Sequence, residues 1–220
     1  MGGLRGGRRT GRGAPAPSPR DYLGWLARQD RDAARRAWRD ALAGLDEPTL
    51  VAPDVRDADP VPPRGVTVRA GERLTGALRD AARARGLTVN TLVQAAWAVL
   101  IGKLTGRRDV VFGATVSGRP AEVPGVERML GLLINTVPVR VTLDPARPVA
   151  AVWDDLQRRQ AELLAHQHLG LPEIQRHAGP GAVFDALLAF ENYPADPAGP
   201  AVAGGLRLTR GEIRDAAHYP

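Results

Sequence analysis

The sequence contains no cysteine, which excludes disulfide bonds, thiolate catalysis and cysteine-ligated zinc. The absence fits a reducing compartment, and we expect the protein to be cytoplasmic. Aromatic residues make up only 5% of the 220 residues, so leucine, valine and alanine must fill the core. No apolar run is long enough to span a bilayer, and a membrane is not expected as a partner.

Side chains that act as nucleophiles or metal ligands are also scarce. Serine occurs only at positions 18 and 117, and Ser117 stands in Val-Ser-Gly-Arg rather than in a Gly-x-Ser-x-Gly elbow. None of the four histidines is followed by aspartate four residues later. His166 and His168 are two residues apart, so on a helix they point to different faces and chelate one metal poorly. We therefore predict no catalytic residue and no metal site.

The net charge of +6 is located mainly in one segment. Residues 1–20 carry no acidic residue, and their five arginines are Arg5, Arg8, Arg9, Arg12 and Arg20. Without that segment the charge is 6 − 5 = +1, too small for the electrostatic surface that nucleic acids require. Nucleic acid is therefore not expected as a partner.

Composition divides the chain into three parts. Residues 1–20 are rich in Gly, Arg and Pro, bury too little apolar surface to offset ordering entropy, and are predicted to be a disordered tail. Residues 21–63 are predicted to form one helix over 21–44 and then a proline-rich connector. Residues 64–220 alternate helical and strand patterns and are predicted to form one domain.

Within the third part, apolar periodicity places each element. A helix over 72–85 precedes a second helix that Thr88 or Asn90 caps, and this second helix is apolar on most sides and therefore expected to be central. Residues 109–116 (DVVFGATV) are a nearly continuous apolar run, typical of a strand covered on both faces. Strands are predicted over 66–69, 109–116, 137–143, 184–190 and 206–213. The fold class is α/β, with a mixed sheet flanked by helices.

Several segments, in order, resemble the C-terminal half of condensation domains from non-ribosomal peptide synthetases. Residues 21–26 (DYLGWL) resemble a motif of the Tyr-x-Asp-Phe-x-x-Trp type, and residues 111–120 (VFGATVSGRP) match the strand and loop that reach the tunnel. Residues 131–140 (GLLINTVPVR) match a Gly-x-Phe-x-Asn-Thr-x-x-x-Arg motif, with Leu133 in place of Phe. His166-Gln167-His168 resembles a His-Gln-Asp motif, with His168 in place of Asp.

The resemblance implies a chloramphenicol-acetyltransferase-like fold of two lobes with a tunnel between them, of which this chain supplies the C-terminal lobe. Peptidyl and aminoacyl carrier proteins would present substrates on phosphopantetheine arms, so no cofactor is expected to be bound directly. The downstream amine would attack the upstream thioester to form an amide. Further expected partners are an N-terminal condensation lobe and adjoining synthetase domains.

The same resemblance places four residues on the tunnel wall. Ser117, Gly118 and Arg119 would lie in a loop near its floor, and Asn135 near the reaction centre, where it could bond a substrate or hold the backbone. An Asn-Thr pair before a strand can also simply end a turn through its own backbone. Arg140 is expected to be structural.

The family's catalytic His-His-x-x-x-Asp-Gly motif does not occur in these 220 residues. The chain is therefore expected to be a partial domain, truncated at its C-terminus, that forms no amide by itself and exposes apolar surface where the other lobe would pack. Two alternatives stay open: a non-catalytic module that binds carrier proteins, and a fragment of an epimerisation domain.

Overall fold

A computed structural model describes residues 18–55 and 64–192 of the chain. The predicted tail before Ser18, part of the proline-rich connector and the predicted strand over 206–213 lie outside these residues. The three-part division of the chain therefore stays a prediction.

Six α-helices lie within the described residues. They are α1 (Pro19–Ala27), α2 (Arg31–Ala41), α3 (Glu72–Ala84), α4 (Val89–Thr105), α5 (Val149–Leu163) and α6 (Leu171–Ala178). Short 3-10 turns occupy Pro53–Val55, Val126–Arg128, Leu164–His166 and Pro180–Ala182. Within the described ranges no single helix is long and apolar enough to cross a membrane, although the bent pair of α3 and α4 passes that test together.

The single helix predicted over 21–44 is wrong, because the chain forms two helices there. Helix α1 begins at Pro19, and the Ser18 side chain accepts a hydrogen bond from the Arg20 amide. The break falls at Asp30, whose carboxylate accepts from the Ala33 amide at 2.8 Å and caps α2. Apolar spacing runs through both helices, but an aspartate that bonds the backbone three residues later favours a new helix start.

A three-stranded mixed sheet forms the centre of the fold. Its strands are β1 (Asp109–Val116), β2 (Asn135–Thr142) and β3 (Leu187–Leu188), in the order β2-β1-β3. Strand β1 is antiparallel to β2 and parallel to β3. The mixed sheet is confirmed, and Pro138 lies on a strand at the sheet edge, where a missing amide hydrogen is tolerated.

Two other strand predictions do not hold. Residues 66–69 form no strand, and Val66 and Val68 are 89% and 88% exposed, since no described segment pairs with them. The strand predicted over 184–190 is reduced to β3 and an isolated bridge from Phe184 to Thr49. Alternating or continuous apolar residues favour an extended chain, but only a neighbouring strand makes it a sheet.

Both faces of the sheet are covered by helices. One face packs against α4 and α5 through Ile101 and Leu156, which contact the cluster around Val110 and Phe112. The other face packs against α2 and α6 through Trp38 and Ile174. Buried apolar area of this kind contributes roughly 25 cal/mol per Å², so the two clusters position β1 and the loop that follows it.

The apolar composition of α4 predicted a helix that is covered on most sides, but one side of it is open to solvent. Its buried face meets the sheet, but Val99, Leu100 and Leu104 on its outer face are 41%, 45% and 62% exposed. Thr88 caps the helix, as predicted, by accepting from the Thr91 amide at 3.1 Å.

Candidate functional site

The loop after β1 holds three of the four residues predicted for the tunnel. The Ser117 hydroxyl accepts a hydrogen bond from the Arg119 amide at 3.4 Å, which turns the chain away from the sheet. Gly118 has φ +58°, and a Cβ built there would lie 1.6 Å from the carbonyl oxygen of Leu133. Because both the backbone conformation and the space exclude a side chain, only glycine lets the loop contact residue 133 so closely.

The guanidinium of Arg119 is bound to its own loop through one of its nitrogens. Its Nη1 donates to the carbonyl oxygen of Met129 at 3.0 Å and also to that of Val126. These bonds join the beginning of the loop to the 3-10 turn that ends it. Arg119 therefore shapes the loop through the backbone.

A small apolar cluster packs between this loop and α1. Val126, Met129 and Leu133 are buried together, and Tyr22 and Trp25 of α1 pack against them. The motif around Tyr22 and Trp25 thus packs against the loop, so two motif segments that are far apart in the sequence are in contact in the fold.

Asn135 is the fourth predicted residue, and it lies opposite Val116 in the β1–β2 pairing. Its Nδ2 donates to the carbonyl oxygens of Gln167 and Leu169, each at 2.8 Å, and its Oδ1 accepts from the Thr136 amide at 2.9 Å. Both donors are therefore used by the backbone. Of the roles considered, the structure shows Asn135 bracing the segment before α6 against the start of β2.

The structure brings the four predicted residues to one end of the sheet. The Ser117–Arg119 loop leaves β1 there, and Asn135 begins β2 directly beside it. No set of side chains in the described ranges could hold a metal ion. Their role as tunnel-lining residues stays a prediction.

His168 lies next to this end of the sheet, a position that sequence analysis did not assign to it. Its ring meets Trp25 edge-on with a centroid distance of 6.1 Å, and its Nδ1 lies 3.0 Å from the Ala165 carbonyl oxygen. Burial lowers the pKa of the imidazole below its ordinary value of 6.5. The buried Nε2 has no hydrogen-bond partner among the described residues. The sequence feature that could have indicated this position of His168 was the motif over 166–168. Asn135 donates hydrogen bonds to backbone carbonyl oxygens in and next to that motif.

An exposed apolar segment borders the same loop. Leu130, Leu132 and Ile134 are 82%, 93% and 54% exposed, and they flank the buried Leu133 that Gly118 contacts. Three large exposed aliphatic side chains within five consecutive residues differ from the single scattered ones that are normal on a surface, and we call them the exposed patch. This end of the sheet therefore presents apolar surface next to the predicted tunnel residues.

The fold and this site define one lobe of a chloramphenicol-acetyltransferase-like fold. The condensation-domain family model matches residues 8–213, and the chain belongs to that family. Relatives include chondramide synthase cmdD of Chondromyces crocatus, 40% identical over 95% of this chain, and vanchrobactin synthetase VabF of Vibrio anguillarum, 37% identical over 77%. The chain spans 5% and 6% of the lengths of these two proteins. It is thus a condensation-domain segment similar to parts of peptide synthetases.

Solved structures agree on the fold. The first condensation domain of the calcium-dependent antibiotic synthetase, in complex with substrate analogue 2a, has a TM-score of 0.64 at 24% identity. That likeness covers 90% of this chain and 45% of the other. The X-domain from teicoplanin biosynthesis has a TM-score of 0.62 at 25% identity, covering 80% of this chain and 43% of the other. The chain therefore corresponds to less than half of each neighbour.

Proposed function

We propose that these 220 residues form the C-terminal lobe of an amide-forming condensation domain and act only together with an N-terminal lobe. The observation that carries the proposal is the exposed patch of Leu130, Leu132 and Ile134 beside the Ser117–Arg119 loop. Large aliphatic side chains at such exposure are disfavoured in water, at roughly 25 cal/mol per Å² of apolar surface. A second lobe that packs there would cover the patch and close a tunnel over the loop.

The proposed reaction joins two substrates carried on phosphopantetheine arms of carrier proteins. The amine of the downstream substrate attacks the carbonyl carbon of the upstream thioester, the carbon–sulfur bond breaks, and the amine proton is transferred to a base. An imidazole in the His-His-x-x-x-Asp-Gly motif is the proposed base, and it would come from the N-terminal lobe. Carrier proteins, that lobe and adjoining synthetase domains in the cytoplasm are the proposed partners.

His168, which lies beside the predicted tunnel residues, is a poor substitute for that base. Its ring packs against Trp25, its Nδ1 contacts a backbone carbonyl oxygen, and its remaining nitrogen, Nε2, is buried away from a substrate. No two histidines are adjacent in these 220 residues. We therefore propose that this segment by itself forms no amide and contributes the shape of the tunnel wall.

The test supplies an N-terminal half from a related protein. The purified chain is mixed with the N-terminal half of the related chondramide synthase condensation domain and with two loaded carrier proteins, and dipeptidyl carrier is measured by mass spectrometry. We expect product from the mixture and none from the chain alone. Product from the chain alone would refute its inactivity. A silent mixture, when an intact domain works in the same assay, would refute the two-lobe role.

Matched variants identify the surface involved. Leu132→Glu places a charge in the exposed patch and should abolish product from the mixture. Leu104→Glu changes an equally apolar, 62% exposed side chain at the end of α4, near the opposite end of β1. That control should leave product formation unchanged, and equal loss in both variants would contradict the proposed contact.

A further inference from the structure

A second site lies at the open edge of the sheet, where α2 and α5 approach each other around β2. We call it the edge cavity, and its volume is about 120 Å³. Its apolar wall includes Leu42, Val116, Val137, Val139, Leu156 and Leu163, together with the ring of Trp38. None of the four predicted tunnel residues lines it. The edge cavity therefore adjoins the predicted tunnel residues without including them, because Val116 and Gln167 line it, and its interior is mainly apolar.

One side of the edge cavity is lined by amides that bond one another. The Nε2 of Gln94 donates to Asn90 Oδ1 at 3.2 Å, and the Nε2 of Gln160 donates to Gln94 Oε1. The first bond lies within α4, and the second joins α5 to α4. The amides supply polar surface, but they carry no charge that a ligand could neutralise.

The charged groups of the edge cavity are unbalanced. Two arginines line it, and no carboxylate of the described residues does. Arg140 is already satisfied, because its Nη2 lies 2.7 Å from Asp109 and its Nη1 donates to the Ala43 carbonyl oxygen at 2.7 Å. Arg159 is half-buried and has neither an ion pair nor a hydrogen bond within the described part of the chain.

The Arg159 side chain lines a largely apolar wall and has no partner there, so a counter-ion is favourable beside it, because an unpaired charge next to apolar surface is costly. Its planar donors match the two oxygens of a carboxylate. We propose that the edge cavity binds a small aliphatic carboxylate, with its charged end on Arg159 and its alkyl chain against Val137, Val139 and Leu163. A polyphosphate is a poorer fit, because Arg159 is the one cation lining the cavity that lacks a partner among the described residues, and most of the wall is apolar. The inference does not depend on amide formation.

The experiment titrates the full chain with sodium hexanoate and follows the side-chain amide signals of Gln94 and Gln160 by NMR. Hexan-1-ol has the same chain without the charge, and hexylamine reverses the charge. We expect hexanoate to bind, hexan-1-ol to bind at least about tenfold more weakly because one charge-assisted hydrogen bond is lost, and hexylamine not to bind. Equal binding of hexanoate and hexan-1-ol would overturn the role of the cation.

Adjacent arginines on α5 provide the matched variants. Arg159→Gln should weaken hexanoate binding at least about tenfold, while Arg158→Gln should leave it unchanged, since Arg158 pairs with Asp155 and Glu162 outside the cavity. Circular dichroism and thermal unfolding confirm that both variants are folded. Equal weakening in the two variants would show that hexanoate is attracted only to the general positive charge of the surface, and it would overturn the proposal. Unchanged binding in Arg159→Gln would show that Arg159 does not hold the carboxylate, and it would overturn the proposal as well.

Discussion

Replacing Asn135 by aspartate tests whether this side chain is a brace of the backbone. The carboxylate has the same shape, but it cannot donate to the carbonyl oxygens of Gln167 and Leu169, which now lie 2.8 Å from the amide nitrogen. Two neutral hydrogen bonds are lost at about 1 kcal/mol each. A negative oxygen then faces two carbonyl oxygens at the same site, and we expect a total loss of about 2–4 kcal/mol of unfolding free energy.

Urea unfolding followed by circular dichroism at pH 7 measures the change. The matched control is Asn90→Asp, since the Oδ1 of Asn90 only accepts a hydrogen bond from Gln94 and a carboxylate does the same. A negative charge in the first turn of α4 is also favourable. We expect the control to stay within about 0.5 kcal/mol of the unsubstituted chain.

The brace interpretation also predicts where the structure loosens. In Asn135→Asp, hydrogen exchange should speed up over residues 166–170, which the bonds hold, while the amides of α4 keep their protection. If Asn135→Asp is as stable as Asn90→Asp and exchange over 166–170 is unchanged, the hydrogen bonds do not hold the segment, and the reasoning is refuted.

Two further predictions concern the same end of the fold. Gly118→Ala should destabilise the chain by at least about 2 kcal/mol in urea unfolding, because the new Cβ meets the Leu133 carbonyl; Gly44→Ala, with φ +77° and open space around it, should cost only about 1 kcal/mol. Equal costs would mean that conformation alone matters at Gly118. For His168, the pKa in the folded chain is lowered, so the unfolded chain binds more protons below pH 6.5 and stability falls as the pH drops below that value. His168→Phe should reduce this loss in unfolding experiments between pH 7 and 5, and an unchanged pH dependence would contradict it.

Local patterns determined most of the secondary structure. The nearly continuous apolar run over 109–116 forms the central strand, and Thr88 caps α4, because these features depend on side chains within a few residues of one another. The ordered motifs predicted the family, and the family model confirmed it. The mixed sheet also followed from the alternation of elements.

Pairing between distant segments could not be predicted in this way. Val66 and Val68 have a strand pattern, yet they remain unpaired among the described residues, since a strand requires a neighbour that its own sequence does not specify. The break at Asp30 could not be predicted either, because a continuous helix and a new helix capped by Asp30 differ in free energy by only about 1 kcal/mol.

The sequence by itself determined which residues belong to the loop end of the lobe, because Ser117, Gly118, Arg119 and Asn135 stand in recognisable motifs. Only the tertiary structure decided what these side chains do. Arg119 donates to carbonyl oxygens farther along its own loop, and Asn135 donates to those of a distant segment. Gly118 leaves room for the carbonyl oxygen of Leu133. The physical reason is that every residue has a backbone carbonyl, so the sequence does not distinguish the carbonyl that accepts a hydrogen bond from the others. Which of them a side chain meets is set by how the helices pack on the sheet.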